Sequence, residues 1–331
     1  MAEEVRNRKV VLKRYVTGYP TEDDMEVVDG TIHLAVPAGL AAPAVLVKNL
    51  YLSCDAWMRG RMSKRDDVTT VVNDFVLGEA SVDELRSEKG GRGMVGWEEY
   101  TLITHPSWLV KIQHTELPLS YYTGVLGMSG LTAYAGFFDV CKPKPGEAVF
   151  VSAASGAVGQ LVGQLAKLAG CHVVGSALLL KTKLGFHDAI NYKSEPDLGA
   201  SLRLRFPDGI DVYFDNTLDA ALPLMRLRGR VAVCGMVSQY SLDDPGQGVR
   251  MRNLPWLVTR RVRMEGFNVD DYLADKDYYR RFEEAMAGYL RDGRVTYLED
   301  VVEGLENAPA ALVGIFRGRN VGRQLIVVAR E

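Results

Sequence analysis

The sequence predicts an α/β chain in two parts: a parallel, doubly wound sheet set into the middle of a β-rich domain built from both chain ends. Three observations predict it. Short alternating apolar runs fill the first third, strand-like and helix-like segments alternate after Gly124, and a small-residue turn in "VFVSAASGAVGQLVGQ" joins the first central strand to a helix. The 331 residues suffice for two domains, and 47% hydrophobic with 24% charged residues is ordinary for a soluble globular protein.

In chain order, "KVVLKRY", "TIHLAV", "AVLVKNLYLS" and "WEEYTLI" read as strands separated by Gly, Pro and charged residues, so an antiparallel, barrel-like unit is the simplest account of the first part. "GVLGMSGLTAYAGFFDVCKPKPGE" then reads as a helix stopped by Lys142 to Gly146. Strands are expected at 149–152, 171–176, 189–192, 211–214, 230–234 and 264–267, with helices between several of them, one running over 156–169. "KDYYRRFEEAMAGYLRDGRV" is the final helix, and "NVGRQLIVVARE" is a strand that returns to the first domain. The expected boundaries are 1–123 with 295–331 for the β-rich domain and 124–294 for the central one.

Composition excludes several function classes. A net charge of -3 leaves no basic excess to neutralise phosphates in series, so no nucleic-acid partner is expected. "MAEEVRNRKVVLKRY" has no apolar leader core and no window reaches the length of a membrane span, which reads as a cytoplasmic protein with no membrane partner. The four cysteines, Cys54, Cys141, Cys171 and Cys234, form no CxxC pair, and the five histidines form no HExxH. They read as buried free thiols in a reducing compartment, with no metal site.

The turn carries the chemistry. Ala154, Gly156 and Gly159 occupy the three glycine positions of the dinucleotide fingerprint, so Gly156, Ala157, Val158 and Gly159 are expected to cradle a pyrophosphate at a helix N-terminus, in a Rossmann-type domain. The bland alternative is a tight strand–helix junction that needs small residues. After the second strand, "HVVGSALLLKTKLGF" has Ser176 and no Asp or Glu, where NAD-binding folds hold the ribose 2′-hydroxyl. A carboxylate there would repel a 2′-phosphate, so its absence favours NADP(H); Lys181 and Lys183 follow, though both side chains read better as a solvated helix face.

"NLYLSCDAWMRGRMS", "VGWEEY", "GVLGMSGLTAYAGF", "SAASGAVGQLVGQLAKLAGC", "KLGFHDAINYK", "DVYFDN", "RGRVAVCGMVSQYSL", "MEGFNV" and "GRNVGRQLIVVARE" together resemble the zinc-independent medium-chain dehydrogenase/reductases. Within them the chain is most similar to the plant NADP-dependent alkenal double-bond reductases, and also to the leukotriene B4 12-hydroxydehydrogenase/prostaglandin reductases. The resemblance implies a GroES-like fold for the β-rich domain, an active site in the cleft between domains, and a homodimer through edge strands of the Rossmann sheets. It implies metal-independent hydride transfer from NADPH to the β-carbon of a small α,β-unsaturated carbonyl, then a proton to the α-carbon.

Such chemistry needs a donor for the developing enolate, and a phenol is almost fully protonated at neutral pH. The resemblance gives that role to Tyr240 of "MVSQY". By the same carry-over Tyr192 meets the 2′-phosphate and Asn216 the ribose or pyrophosphate. Cys234, Gly235, Val237, Ser238, Phe267, Asn268, Val269, Asn320 and Gly322 hold the nicotinamide end, Met128 and Thr132 line its far face, and Tyr51 and Trp57 line the substrate pocket. Each also has a structural reading, as turn, cap or core.

Departures accompany the match. The family has Pro-Tyr where this chain has Ala56-Trp57, which reshapes the pocket wall. A strand near Glu79 to Lys89 reads as truncated, a lysine-bearing turn is missing between Ala177 and Leu178, and Thr217-Leu218 replaces Val-Gly-Gly; the expectation is of unordered residues left out at these joins. The string Tyr272 to Lys276 fits the YxxxK of short-chain dehydrogenases but sits beyond the sixth strand and reads as chance. A quinone reductase and a non-catalytic NADPH sensor are the alternatives.

Overall fold

The structure is a computed structural model that describes residues 2–40, 43–64, 74–80, 82–87, 91–104, 106, 109–176, 182–191, 194–214, 218–242 and 251–330. The chain forms two units, Met1–Thr123 with Val237–Gly246 and Glu299–Glu331, and Gly124–Met236 with Gln247–Leu298.

The first unit begins with β1 (Glu4–Arg6), β2 (Lys9–Leu12), β3 (Met25–Val28) and β4 (Thr31–His33), paired as two antiparallel ribbons, β1 with β4 and β2 with β3. It continues through β5 (Val45–Ser53), β6 (Val82–Ser87), β7 (Gly91–Gly96), β8 (Tyr100–Ile103) and β9 (Val110–Lys111). The nine-residue β5 is the spine, pairing antiparallel with β6 and with β8. The strand expected near Glu79 to Lys89 is β6, whose six residues lie between β5 and β7 in the sheet.

The second unit opens with helix α1 (Met128–Ala135), which widens into a π-helical turn over Gly136–Cys141 and ends at Lys142 in the left-handed region, φ 49°. The single regular helix expected here is thus interrupted. At Gly136 a Cβ would lie 2.5 Å from the Phe267 ring and 2.8 Å from the Phe214 ring, so only glycine lets those rings press on the backbone. Next come β10 (Ala148–Val151), α2 (Gly159–Leu168), β11 (His172–Gly175), β12 (Asp188–Ala189), β13 (Ile210–Phe214), β14 (Met225–Val233) and β15 (Arg263–Gly266). They make a parallel sheet in the order β12-β11-β10-β13-β14-β15. Strands covered on both faces read as unbroken apolar runs, which is why "AVFV" and "HVVG" were visible as strands.

Helix α2 begins three residues later than expected, because 156–158 form the turn itself. Strand β14 begins five residues earlier than expected, with a register shift against β13 between Ile210 and Val212 and Arg228 at φ 62°. Backbone pairing, which the alternating arginines of "MRLRGR" conceal, decides that strand. The long helix α3 (Lys276–Arg291) buries Tyr279, Phe282, Met286 and Ala287.

The chain then re-enters the first unit as β16 (Glu299–Glu303) and, after the helix Ala308–Phe316, as β17 (Arg323–Val327). β17 pairs parallel with β16 and antiparallel with β5, as expected of the final strand. Leu312 and Ile326 therefore share one core with Leu12, Val47, Leu52, Met58 and Trp97. The second core gathers Phe150, Val174, Ile190, Leu202, Ile210 and Tyr213. None of the four cysteines is in a disulfide; Cys54, Cys141 and Cys171 are buried, but Cys234 is only half-buried, since it lies just past the end of β14.

Candidate functional site

In a parallel sheet all strand C-termini share one edge, and ligands bind outside it where the strand order reverses, here between β10 and β13. The turn after β10 lies at that point. Ser152 N–H donates to Phe214 O across β10 and β13 at 3.1 Å, and Gly156 N–H closes the turn on Ala153 O at 3.0 Å. A Cβ at Gly156 would stand 3.3 Å from Ala153 O, whereas one at Gly159 would stand 2.2 Å from that oxygen and 2.8 Å from Ala154 Cα. Gly159 is thus required for helix α2 to approach the strand; Gly156 leaves the outer face of the turn bare. Val158 at the N-cap makes no side-chain capping bond, so that residue sets no side-chain oxygen against the partial positive charge of the helix end.

Ser176 follows β11 on the same edge, its N–H donating to Val151 O at 3.0 Å. It is 4% exposed and its hydroxyl finds no partner among the described residues. A buried orphan hydroxyl is costly unless a ligand supplies the missing bond. This fits a dinucleotide, whose ribose end reaches the second strand of such folds.

Cys234 and Gly235 follow β14, and Phe267, Asn268 and Val269 follow β15, where Phe267 N–H donates to Val233 O at 3.2 Å and Asn268 Oδ1 caps Asp270 N–H at 3.1 Å. The fold therefore gathers the turn, Ser176, Cys234 and Phe267 on one sheet edge. Met128 and Thr132 lie on α1, where the Thr132 hydroxyl is engaged by Met128 O at 2.7 Å. Tyr192 and Asn216 lie outside the described residues.

The first unit holds the other candidates. Val237 and Ser238 lie in the short 3-10 turn Val237–Gln239, and Tyr240 N–H donates back to Val237 O at 3.3 Å. The Ser241 hydroxyl beside it is buried with no partner among the described residues. Tyr51 lies on β5 opposite Val327, and Trp57 precedes the one-turn helix Met58–Arg61 with its indole N–H buried and unpartnered among the described residues. Asn320 Nδ2 donates to Gly322 O at 2.8 Å in a turn where Gly322 takes φ 87°.

Sequence reasoning missed the charged groups packed near that turn. The Arg323 guanidinium grips Asp55 bidentately, and Ser53 Oγ donates to Asp55 Oδ2 at 2.9 Å. Glu299 accepts from Ser120 Oγ at 2.9 Å; burial pushes its carboxyl above the usual range, against the attraction of Arg323. Both carboxylates sit in stretches quoted above or beside them, but only the fold joins them to Arg323. No group of three or more His, Cys, Asp or Glu among the described residues could hold a metal ion.

Two family models match, "Zinc-binding dehydrogenase" over residues 157–287 and "N-terminal domain of oxidoreductase" over residues 8–112. The chain is 54% identical to the NADP-dependent 2-alkenal reductase of Nicotiana tabacum over 100% of both chains, and 48% identical to the (+)-pulegone reductase of Mentha piperita over 99% of this chain and 100% of that one. Among solved structures, CurA of Vibrio vulnificus in complex with NADPH superposes with a TM-score of 0.84 at 31% identity, covering 98% of this chain and 100% of that one. The tobacco match runs over 353 positions against 331 residues here, a difference of 22 positions that this chain lacks. The joins after Ala177 and at Thr217 lie outside the described residues. Matched from end to end and built on the same two-unit plan, the chain belongs to the zinc-independent medium-chain dehydrogenase/reductases, in the branch of the plant alkenal double-bond reductases.

Proposed function

We propose that this protein uses NADPH to reduce the carbon–carbon double bond of α,β-unsaturated aldehydes and ketones. The observation that carries the reading is the identity to a 2-alkenal reductase along the whole of both chains. The relative that reduces pulegone extends the acceptor class from enals to enones. When bound, NADPH supplies the hydride for the β-carbon.

The chain's own residues bind, orient and polarise. In this reading the turn at Gly156 to Gly159 and the α2 N-terminus hold the pyrophosphate, the Ser176 hydroxyl turns to the ribose end, and the segments at Cys234 to Ser238, Phe267 to Val269 and Asn320 to Gly322 fix the nicotinamide. Met128 and Thr132 back it, Tyr192 meets the adenosine 2′-phosphate, and Asn216 serves the ribose or pyrophosphate. The Tyr240 hydroxyl would donate a hydrogen bond to the carbonyl oxygen, where negative charge develops during reduction, and a proton from solvent water would complete the α-carbon. Tyr51 and Trp57 shape the pocket. The β-rich unit is the catalytic domain and the six-stranded unit the cofactor domain.

Enals alkylate thiolates. Burial holds the Cys141 thiol up to about 12 and the Cys171 thiol up to about 11, so neither offers thiolate at neutral pH. Four cysteines outside any disulfide suit a reducing compartment such as the cytoplasm. A homodimer is supported by β15, an edge strand with all four residues exposed, and by Trp256 and Val258 (79% exposed) on the preceding helix.

The test follows the absorbance of reduced nicotinamide with NADPH or NADH and three acceptors, a medium-chain 2-alkenal, a cyclic enone and a quinone. Alkenal or enone turnover with NADPH preferred supports the reading. Turnover of the quinone alone reassigns the substrate, and binding of NADPH without turnover of any acceptor makes the protein a sensor.

A further inference from the structure

Two glutamines on helix α2 grip the backbone of the segment by which the chain leaves the second unit. Gln164 Oε1 accepts from Thr296 N–H at 2.8 Å while its Nε2 donates to Thr296 O at 2.8 Å. One turn earlier, Gln160 Oε1 accepts from Leu298 N–H at 2.9 Å and its Nε2 donates to Leu298 O at 3.0 Å. Both side chains are buried, Gln160 at 0% exposure, and Gln164 Nε2 also donates to Gln160 O at 2.9 Å. The spacing is what makes this possible: four helical residues advance about 6 Å, close to two residues of extended chain. Tyr297, between the two gripped residues, packs its hydroxyl against Gly124, where a Cβ would lie 1.7 Å away. The segment is thereby fixed on both sides, and the residue after Leu298 begins β16 of the first unit.

Gln160 is the second residue of α2, immediately behind the bare turn. The first turn of the helix, the amide pair and the exit segment are thus one hydrogen-bonded body. We propose that Gln160 and Gln164 are positioning residues for the reaction: they couple occupancy of the phosphate turn to the path by which the chain returns to the Tyr240-bearing unit. This rests on the NADPH reading above. Glutamine suits the task because one planar amide satisfies both polar groups of a backbone residue, which leucine cannot do and an ionised glutamate does only at the N–H.

The experiment reads amide exchange at Thr296 and Leu298 in the full chain, with and without saturating NADPH. Exchange at both is expected to slow by about tenfold or more on binding in the native protein, and not to slow in Gln164→Leu. In Gln164→Leu, turnover should fall by about tenfold while the KM for NADPH stays within a few-fold, a split expected when geometry rather than binding is lost. A purely structural clamp would lower the melting temperature and leave both protection and turnover of the folded variant intact, which overturns the proposal. The native-protein measurement stands even if the variant does not fold. NADPH binding without protection sinks the coupling alone; failure to bind NADPH sinks the cofactor reading as well.

Discussion

Arg323, 2% exposed on β17, closes its guanidinium on both oxygens of Asp55, with Nη2 2.7 Å from Oδ2, although 268 residues separate the two in sequence. A buried ion pair adds little net stability over an apolar replacement, but removing one partner strands the other. Asp55→Ala, which leaves the guanidinium buried, is expected to cost about 3–5 kcal/mol. The urea midpoint reports it; a loss below about 1 kcal/mol would mean that water reaches Arg323 freely.

Glu98 gives a pH-dependent prediction. Burial raises its carboxyl above the ordinary 4.5, against donation from Thr101 Oγ1 at 2.8 Å and Asn7 Nδ2 at 3.2 Å. The folded state therefore keeps a proton that the unfolded chain has released, so this contribution is complete below 4.5 and is lost as pH rises through the folded value. Glu98→Gln keeps an acceptor and removes the charge. Its stability should exceed that of the native protein at neutral pH by about 1 kcal/mol and converge with it toward pH 4.5, read from denaturation midpoints across that range.

Ser176→Ala separates ligand chemistry from packing. The native hydroxyl is buried without a partner among the described residues, so its removal should raise the ligand-free stability by up to about 1 kcal/mol. If the ribose end of NADPH supplies the missing bond, the same variant binds NADPH about five- to tenfold more weakly. Paired thermal melts and fluorescence titrations check both signs; unchanged affinity would make Ser176 a packing residue only.

What was legible in the sequence follows from what each residue answers to. The strands β10 and β11 are covered on both faces and so declare themselves as apolar runs, and the turn between β10 and α2 shows its small residues because backbone must meet backbone there. The early part of β14 was hidden because arginines, partly or fully exposed, alternate along it. Gln160 and Gln164 look like ordinary helix residues, since their partners are main-chain atoms 138 and 132 residues away. The Ser176 orphan is equally invisible: a sequence says which hydroxyls exist, while only packing says which ones lack partners.

Gly156 and Gly159 belong to one fingerprint yet should respond oppositely to alanine. At Gly159 the new methyl would meet Ala153 O at 2.2 Å and Ala154 Cα at 2.8 Å, all main chain, so helix α2 must move off the strand. Gly159→Ala is therefore expected to lose about 1–3 kcal/mol of stability whether or not a ligand is present. At Gly156 the methyl would meet only Ala153 O at 3.3 Å, and the residue is not in the positive-φ region, so a shift of a few tenths of an ångström accommodates it at less than about 1 kcal/mol. The methyl would, however, occupy the side of the turn left open for a pyrophosphate. Gly156→Ala should then melt nearly as the native protein does and bind NADPH about tenfold or more weakly, with a similar loss for adenosine 2′,5′-bisphosphate if that ligand's 5′-phosphate shares the turn. Native-like affinity in Gly156→Ala would return the turn to its bland reading, a tight junction that holds α2 against β10 and nothing else.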